Sequence, residues 1–271
     1  MIGYGQSGLL LDVKTRVIQR ELERMVAAHA TRPSSVQFHF PTAPFRVRPA
    51  DFPNDAIPRD LIAEDLQIEP DSWTWCQGFI SGTRNFYDES RVIPDLVKGL
   101  DAIADVIMRH GPFDGVIGFS SGASIAVLVA SLLETGRKLA FDKQVSGGKG
   151  MAYPESFLGE SASTLKFLQP PMKFAVCYSG FSLGHENYKS FYTPHIKTPI
   201  LHVIGQWDTV VSEQQSLILM GKSEGKPQVL YHSGSHYVPQ QRYFVTEVVK
   251  FIMDFCFQSS VGAPIICNAA K

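Results

Sequence analysis

Apolar positions recur along this chain with two different spacings. A helical spacing predicts helices over residues 12–28, 90–110, 123–133 and 239–257, and another from about residue 212. Short apolar runs bounded by turn residues predict strands at residues 36–40, 116–117, 174–179, 200–204 and 228–232. Strands that alternate with helices indicate an α/β fold whose mostly parallel sheet is flanked by helices on both faces.

The strongest chemical signal lies where the strand at residues 116–117 meets the apolar helix at 123–133. The junction contains Gly118-Phe119-Ser120-Ser121-Gly122, which is a Gly-x-Ser-x-Gly sequence. A sharp turn from strand to helix lifts a serine hydroxyl above the sheet edge, where a base can reach it. Both glycines suit this turn because a Cβ there would collide with the neighbouring strand or helix. The pattern predicts a nucleophile elbow at Ser120.

Two later loops carry the expected partners of Ser120. Reactive residues of a parallel sheet gather where strands end on the carboxyl side, and there the chain has Asp208 and His236. The order Ser120, Asp208, His236 is that of an α/β-hydrolase triad. His236 would take the serine proton while Asp208 stabilises the imidazole. His232 is the rival base, although it belongs to the strand itself; a capping role for Asp208 and an ordinary loop role for His236 are the alternatives.

Aromatic residues cluster before the second helix. Trp73, Trp75, Phe86 and Tyr87 occur within fifteen residues that lack a clear period. They could pad an irregular segment onto the core or wall an acyl pocket, since ligand sites are mainly apolar with aromatic linings. Together with Trp207, which adjoins Asp208, they are the candidate substrate-binding residues. The glycine-rich stretch at residues 145–150 is a candidate mobile loop.

Composition narrows the class of protein. A chain of 271 residues can bury one core, so we expect a single α/β domain over residues 1–257 and a loosely ordered tail at 258–271. Lys and Arg number 25 against 26 Asp and Glu, a net charge of −1 that attracts neither nucleic acid nor an anionic membrane. No apolar run reaches the length of a membrane span and no secretion signal opens the chain. We expect a soluble, cytoplasmic protein.

The cysteines give no sign of a metal site. Cys76, Cys177, Cys256 and Cys267 lack the spacing of metal ligands, and the second and third of them lie in apolar segments. Free buried thiols are expected rather than disulfides or a zinc site, and neither a metal nor another cofactor is expected.

The chain resembles the FSH serine hydrolase family of the α/β-hydrolase superfamily. The likeness is carried by residues 111–123 around the elbow, by Gly205-x-x-Asp208-x-Val210-Val211, by His236-x-x-Pro239 and by the opening Gly3-Tyr4-Gly5-Gln6-Ser7-Gly8. The family includes short-chain esterases and fungal thioesterases that release a polyketide from its synthase. The resemblance therefore implies cleavage of an acyl ester or thioester.

The resemblance also implies an oxyanion hole. In an elbow of this kind the backbone N–H of Ser121 is one donor. The loop after the family's first strand supplies the second, which the resemblance places at Tyr4. Relatives have an apolar strand ending in His-Gly before that loop, whereas this chain begins Met1-Ile2-Gly3. The sheet is thus expected to lack its usual first strand, which a truncated sequence or an unusual sheet would explain.

Three functions follow as alternatives. The first is a serine hydrolase that forms an acyl-enzyme and releases a polyketide or similar acyl chain from a carrier in secondary-metabolite biosynthesis. Its partners would be a small-molecule or carrier-bound acyl substrate and an acyl carrier domain of a polyketide synthase. The second is a general short-chain carboxylesterase. The third is a non-catalytic binding protein with the same fold, against which the intact set Ser120, Asp208 and His236 argues.

Overall fold

The structure is a computed structural model, and it describes residues 1–29, 35–47, 71–77, 92–159, 167–226 and 228–257. The helices of this part are α1 (Gly8–His29), α2 (Leu96–His110), α3 (Ser121–Leu132), α4 (Arg137–Ser146), α5 (Lys189–Tyr192), α6 (Glu213–Met220) and α7 (Arg242–Phe257). The strands are β1 (Phe45–Arg46), β2 (Trp73–Thr74), β3 (Gly115–Phe119), β4 (Phe174–Tyr178), β5 (Ile200–Gly205) and β6 (Gln228–His232).

The last four strands form one parallel sheet in the order β3-β4-β5-β6. β4 and β5 are buried at every position, as expected for strands covered on both faces. Phe174 of β4 packs edge-on against Phe251 of α7 with ring centroids 6.3 Å apart. Gly118 of β3 faces α3 instead, because a Cβ there would lie 2.5 Å from Ala123 Cα. The sheet therefore holds the predicted α/β arrangement.

The two remaining strands, β1 and β2, pair antiparallel in a separate ribbon. The ribbon is tied to the start of the chain, since Gly5 N–H donates to Trp73 O at 3.0 Å and Gln6 bridges Trp73. These contacts attach the turn that contains Tyr4 to the ribbon.

The outer edge of β3 bears on the expected lack of a first strand. Residues 1–3 lie beside its carboxyl end: Phe119 N–H donates to Met1 O at 3.2 Å, and the Met1 amino group donates to Ile117 O. Beside the rest of the strand lies a cavity of about 570 Å³, lined by residues of α1, α2, α7 and residues 35–41. Among the described residues, the two hydrogen bonds of Met1 are therefore the backbone contacts at this edge of β3, and no strand pairs with the rest of that edge.

Several sequence predictions needed correction. Residues 36–40 are not a strand: their side chains alternate between half-buried and exposed, but no described backbone pairs with them, so the period-2 pattern is present without a ladder. The second helix begins at Leu96 rather than near residue 90, because Asp95 has a left-handed φ of 57° that a helix cannot contain. The stretch at residues 145–150, predicted as a loop, leaves the helix only at Gly147, because α4 extends to Ser146.

Candidate active site

Ser120 occupies a tight turn between β3 and α3. Its backbone has φ 56° and ψ −128°, a conformation that residues other than glycine rarely adopt. Neighbouring hydrogen bonds hold it there, since Ser120 N–H donates to Tyr178 O at 2.8 Å and Ser120 O accepts from Ala123 N–H at 2.9 Å. The local geometry is that of the predicted elbow.

The two glycines of the motif are required by close backbone approaches. A Cβ at Gly118 would lie 2.4 Å from Gly122 O, which is inside any allowed contact. A Cβ at Gly122 would lie 2.0 Å from Ile2 O and 2.6 Å from Met1 O. The start of the chain therefore packs directly on the first turn of α3, and glycine at 122 is what permits it.

His236 comes from the loop after β6 and reaches Ser120. The His236 Nε2 atom lies 2.9 Å from Ser120 Oγ, and His236 Nδ1 lies 2.7 Å from Asp208 Oδ2. The ring also packs against Phe119, with centroids 4.8 Å apart. The imidazole side chain retains 16% exposure, whereas the Asp208 side chain is 1% exposed. A continuous hydrogen-bonded line thus runs from a buried carboxylate through an accessible imidazole to a serine hydroxyl.

Asp208 is held by the turn that follows β5. Its Oδ1 accepts from Val210 N–H at 2.9 Å and from Val211 N–H at 2.8 Å, which leaves Oδ2 to His236. Burial alone would raise the pKa of Asp208. The hydrogen bonds from His236 and Val211 outweigh burial, so the pKa of this carboxyl lies below its ordinary value. The group is therefore ionised at neutral pH, as a partner of a protonated imidazole must be.

The loops after β5 and β6 are locked to one another. Gln206 N–H donates to His232 O at 2.9 Å, and Trp207 N–H donates to Gly234 O at 3.0 Å. A Cβ at Gly205 would lie 2.4 Å from Ser235 O, so the close packing of the loops depends on glycine at this position. The mutual contacts fix the separation of the Asp208 and His236 loops.

The rival histidine does not contact Ser120. His232 is 1% exposed and its ring packs against Tyr237 and Phe244, at 4.9 and 5.9 Å between centroids. Burial lowers the pKa of His232, and the negative charge of Asp208 only partly opposes this. A neutral imidazole in the protein interior fits a packing role behind the Asp208 loop.

The two predicted oxyanion donors, Ser121 and Tyr4, come from the start of α3 and from the opening of the chain. Ser121 opens α3, so its N–H has no carbonyl partner within the helix. Tyr4 directly follows Gly3, and a Cβ at Gly3 would lie 3.2 Å from Ser120 Cβ. The structure thus places Gly3, the residue before Tyr4, beside the serine, and Ser121 directly after it.

Comparison with known proteins identifies the family of the chain. The serine hydrolase (FSH1) family matches residues 1–248. The chain belongs to this family. Its parallel sheet flanked by helices is that of the α/β-hydrolase fold.

Individual family relatives are distant. The chain is 29% identical over 266 residues to a Schizosaccharomyces pombe protein named dihydrofolate reductase, across 97% of this chain and 47% of that protein. It spans about half the length of the first curated relatives that it matches. It is 28% identical over 235 residues to esterase OVCA2 of Xenopus tropicalis, covering 82% of this chain and 88% of the relative.

A solved structure supports the fold. Arabidopsis thaliana SOBER1 aligns with a TM-score of 0.50 at 17% identity, over 94% of this chain and 96% of that one. At this identity the likeness shows the fold alone.

The five candidate substrate-binding aromatics of this family member lie in different environments. Trp75 is 1% exposed and its Nε1–H donates to Ile2 O at 3.0 Å, so it takes the core role rather than lining a pocket. Trp73 is half-buried in β2, where the Arg46 guanidinium lies 5.6 Å from its ring centroid. Trp207 is 72% exposed next to Asp208. Phe86 and Tyr87 lie outside the described residues.

Sequence reasoning missed two residues beside the candidate site. Phe119 precedes Ser120 in the elbow and is the ring on which His236 rests; its place within the motif was a usable signal. Lys14 of α1 lies over the same ring, with Nζ 5.3 Å from the Phe119 ring centroid. Nothing in the spacing of α1 pointed to it.

The structure bears on the cysteine and metal expectations only within the residues that it describes. Cys76, Cys177 and Cys256 are free thiols, and Cys267 lies outside the described residues. Burial raises the pKa of Cys177 to about 12, so this thiol is inert. Across the described ranges no group of three or more His, Cys, Asp and Glu side chains could hold a metal ion. Nor is any helix of these ranges long and apolar enough to cross a membrane.

Proposed function

We propose that Ser120, His236 and Asp208 are a catalytic triad that hydrolyses an acyl ester or thioester through an acyl-enzyme. The observation that carries the proposal is the line of two hydrogen bonds, 2.9 and 2.7 Å long, that joins the three side chains at a strained elbow. A strained non-glycine backbone persists only where the surrounding structure enforces it, and such positions concentrate at functional sites.

Acylation follows from this geometry. His236 Nε2 takes the proton of Ser120 as Oγ attacks the acyl carbon, and Asp208 stabilises the imidazolium that forms. The carbonyl oxygen becomes an oxyanion between the N–H groups of Ser121 and Tyr4. When the tetrahedral intermediate collapses, the bond to the alcohol or thiol breaks and His236 returns the proton to that leaving group. Ser120 then carries the acyl group.

Deacylation repeats these steps with water. His236 takes a proton from water as its oxygen attacks the acyl carbon, and the ester bond to Ser120 Oγ breaks. The proton on His236 passes to Oγ, while the acid product leaves. Every proton taken from a nucleophile is returned to a leaving group, so neither metal nor cofactor is needed in this sequence.

For the substrate we propose a polyketide or a similar acyl chain delivered on an acyl carrier. Support comes from the family resemblance and from exposed apolar side chains on the loops that carry the triad acid and base: Trp207 is 72% exposed, Val210 is 50% exposed and Tyr237 is 40% exposed. Such surfaces suit contact with an acyl chain. A general short-chain carboxylesterase would instead favour acetyl and butyryl esters over long ones.

The test is hydrolysis of p-nitrophenyl esters of increasing chain length, with fluorophosphonate labelling as a second readout. Ser120→Ala is expected to abolish both, and His236→Ala to reduce turnover nearly as much, because triad members act as a unit. Asp208→Asn should cost somewhat less. A matched control is Ser156→Ala, which removes a hydroxyl bonded to Asp101 rather than one in the triad. Near-normal turnover in any of the three triad variants contradicts the proposal.

A further inference from the structure

Lys14 places a positive charge beside the proposed triad. Its Nζ lies 5.3 Å from the centroid of the Phe119 ring, and the same ring packs against His236 at 4.8 Å. The ammonium is therefore no farther from the imidazole centre than these two distances together. Gln240, four residues after His236, also donates to Lys14 O at 3.2 Å. Helix α1 is thus anchored next to the loop that carries the proposed base.

The ammonium of Lys14 lacks an acidic partner among the residues that the structure describes. No carboxylate of this part lies within 4.0 Å of Nζ, whereas Arg16 on the same helix pairs with Asp12 at 3.7 Å. Partial burial lowers the pKa of Lys14, and no neighbouring negative charge opposes the shift. A partly desolvated cation without a counter-charge is stabilised when an anion binds next to it.

The surface around Lys14 is apolar. Leu10 and Val17 of α1 are each 40% exposed and lie four residues before and three residues after Lys14, which puts them beside it on the helix surface. Two exposed aliphatic side chains beside one cation form a surface with both apolar and positive character. It would accept a molecule that has an apolar stretch and a negative group.

We infer that Lys14 is a specificity-determining residue that binds an anionic group of the substrate. This inference rests on the proposed function, because the distance to His236 matters only if the triad acts. The substrate class is an ester or thioester with a carboxylate or phosphate that reaches α1 while its carbonyl lies at Ser120. Two sources have this chemistry: a carboxylate on the acyl part, or a phosphate on the arm of a carrier thiol.

Two pairs of substrates distinguish these sources. The first pair is p-nitrophenyl butyrate and the p-nitrophenyl monoester of glutarate, which differ by a carboxylate on the acyl part. The second pair is the butyryl thioester of 4′-phosphopantetheine and that of pantetheine, which differ by one phosphate on the leaving group. For each pair the readout is the ratio of kcat/KM for the anionic substrate to that for the neutral one.

Lys14→Met is expected to lower one of these ratios about tenfold, as for loss of one charged hydrogen bond of roughly 1.4 kcal/mol. Lys14→Arg should restore most of it, because the charge remains. Arg16→Met is the matched control: it removes a cation from the same helix at a residue that already has Asp12 as partner. The pair whose ratio falls identifies the source of the anion. Unchanged ratios in both pairs overturn the inference and leave the triad proposal standing.

A binding measurement separates the two proposals fully. In the Ser120→Ala background, glutarate and coenzyme A are titrated with and without Lys14→Met. Weaker binding of one anion after Lys14→Met supports the inference even if Ser120 proves not to be the nucleophile. If Lys14→Met leaves the affinity for each of the two anions unchanged, the inference is overturned, whatever the turnover assays give.

Discussion

A buried ion pair joins the elbow helix to the strand that leads to Asp208, and it should be essential for stability. Glu134, which follows α3, is 5% exposed and accepts from Arg137 Nη2 at 2.6 Å. Its other oxygen accepts from the N–H of Lys197 at 2.6 Å, and from the N–H and hydroxyl of Thr198 at 2.8 and 3.0 Å. These acceptor bonds attach the end of α3 to the segment immediately before β5.

The Arg137 side of the pair is equally enclosed. Its side chain is 1% exposed, and Nη1 donates to Ser190 O and Pro194 O at 3.2 and 2.6 Å. Glu134→Gln keeps the size of the side chain but leaves a buried guanidinium without its counter-charge. Removal of one partner of a buried ion pair costs about 3–5 kcal/mol. We expect Glu134→Gln to lower the free energy of unfolding by an amount near the lower end, because three carbonyls still accept from Arg137.

Urea denaturation followed by circular dichroism measures this loss. For a domain of 150–250 residues each kcal/mol shifts Tm by about 2–4 °C, so a loss near 3 kcal/mol should lower Tm by roughly 6–12 °C. The double variant Glu134→Gln, Arg137→Met should lose less than the sum of the single losses, because the stranded charge is gone. Lys138→Met breaks the exposed Lys138–Asp142 pair and is the control, with an expected cost below about 1 kcal/mol. A loss below about 0.5 kcal/mol for Glu134→Gln would refute this reasoning.

Two further predictions concern the site itself. Gly122→Ala should lower kcat/KM and Tm, with a loss of about 1–3 kcal/mol in the free energy of unfolding, because its Cβ would collide with Ile2 O. Gly147→Ala is the control and should be near neutral, because its Cβ would lie 3.4 Å from its nearest neighbour. Equal effects of the two substitutions would contradict this prediction. Because folding lowers the pKa of Asp208, its ionised form stabilises the protein above its ordinary pKa of 3.8, and this contribution disappears as pH falls through the folded value. The difference in Tm between the wild type and Asp208→Asn should therefore narrow below about pH 4; a difference that stays constant from neutral to acid pH would count against it.

The strands and the site were accessible from sequence because each has a local cause. β4 and β5 are mainly apolar runs. The elbow is marked by two glycines, which are needed because neighbouring backbone atoms approach them closely. Asp208 and His236 could be located because loops after parallel strands share one edge of the sheet. Their mutual distances, by contrast, depend on how two loops bond to one another, which no local pattern records.

The failures have a common cause in tertiary context. Residues 36–40 alternate as a strand does, but a strand also needs a partner backbone. Trp75 is of a residue type that often lines ligand pockets, yet its Nε1–H donates to Ile2 O within the core. α4 has a polar surface with few buried residues, Arg137 and Phe141, so its sequence carries almost no amphipathic signal. Lys14 looks like any solvated lysine until Phe119 is placed beneath it.

The register of the strands also positions the edge of the sheet that carries the candidate site. The parallel hydrogen bonding continues one residue past the strands: Ser120 N–H donates to Tyr178 O, and Ser179 N–H donates to Val203 O. Both serines have positive φ, 56° and 48°, so the chain turns away from the sheet only after these bonds are made. Gln206 N–H then extends the series to His232 O. Since every strand end is bonded to the next, the backbone of the sheet positions the strand ends from which Ser120, Asp208 and His236 project, and the two side-chain hydrogen bonds through His236 complete their spacing.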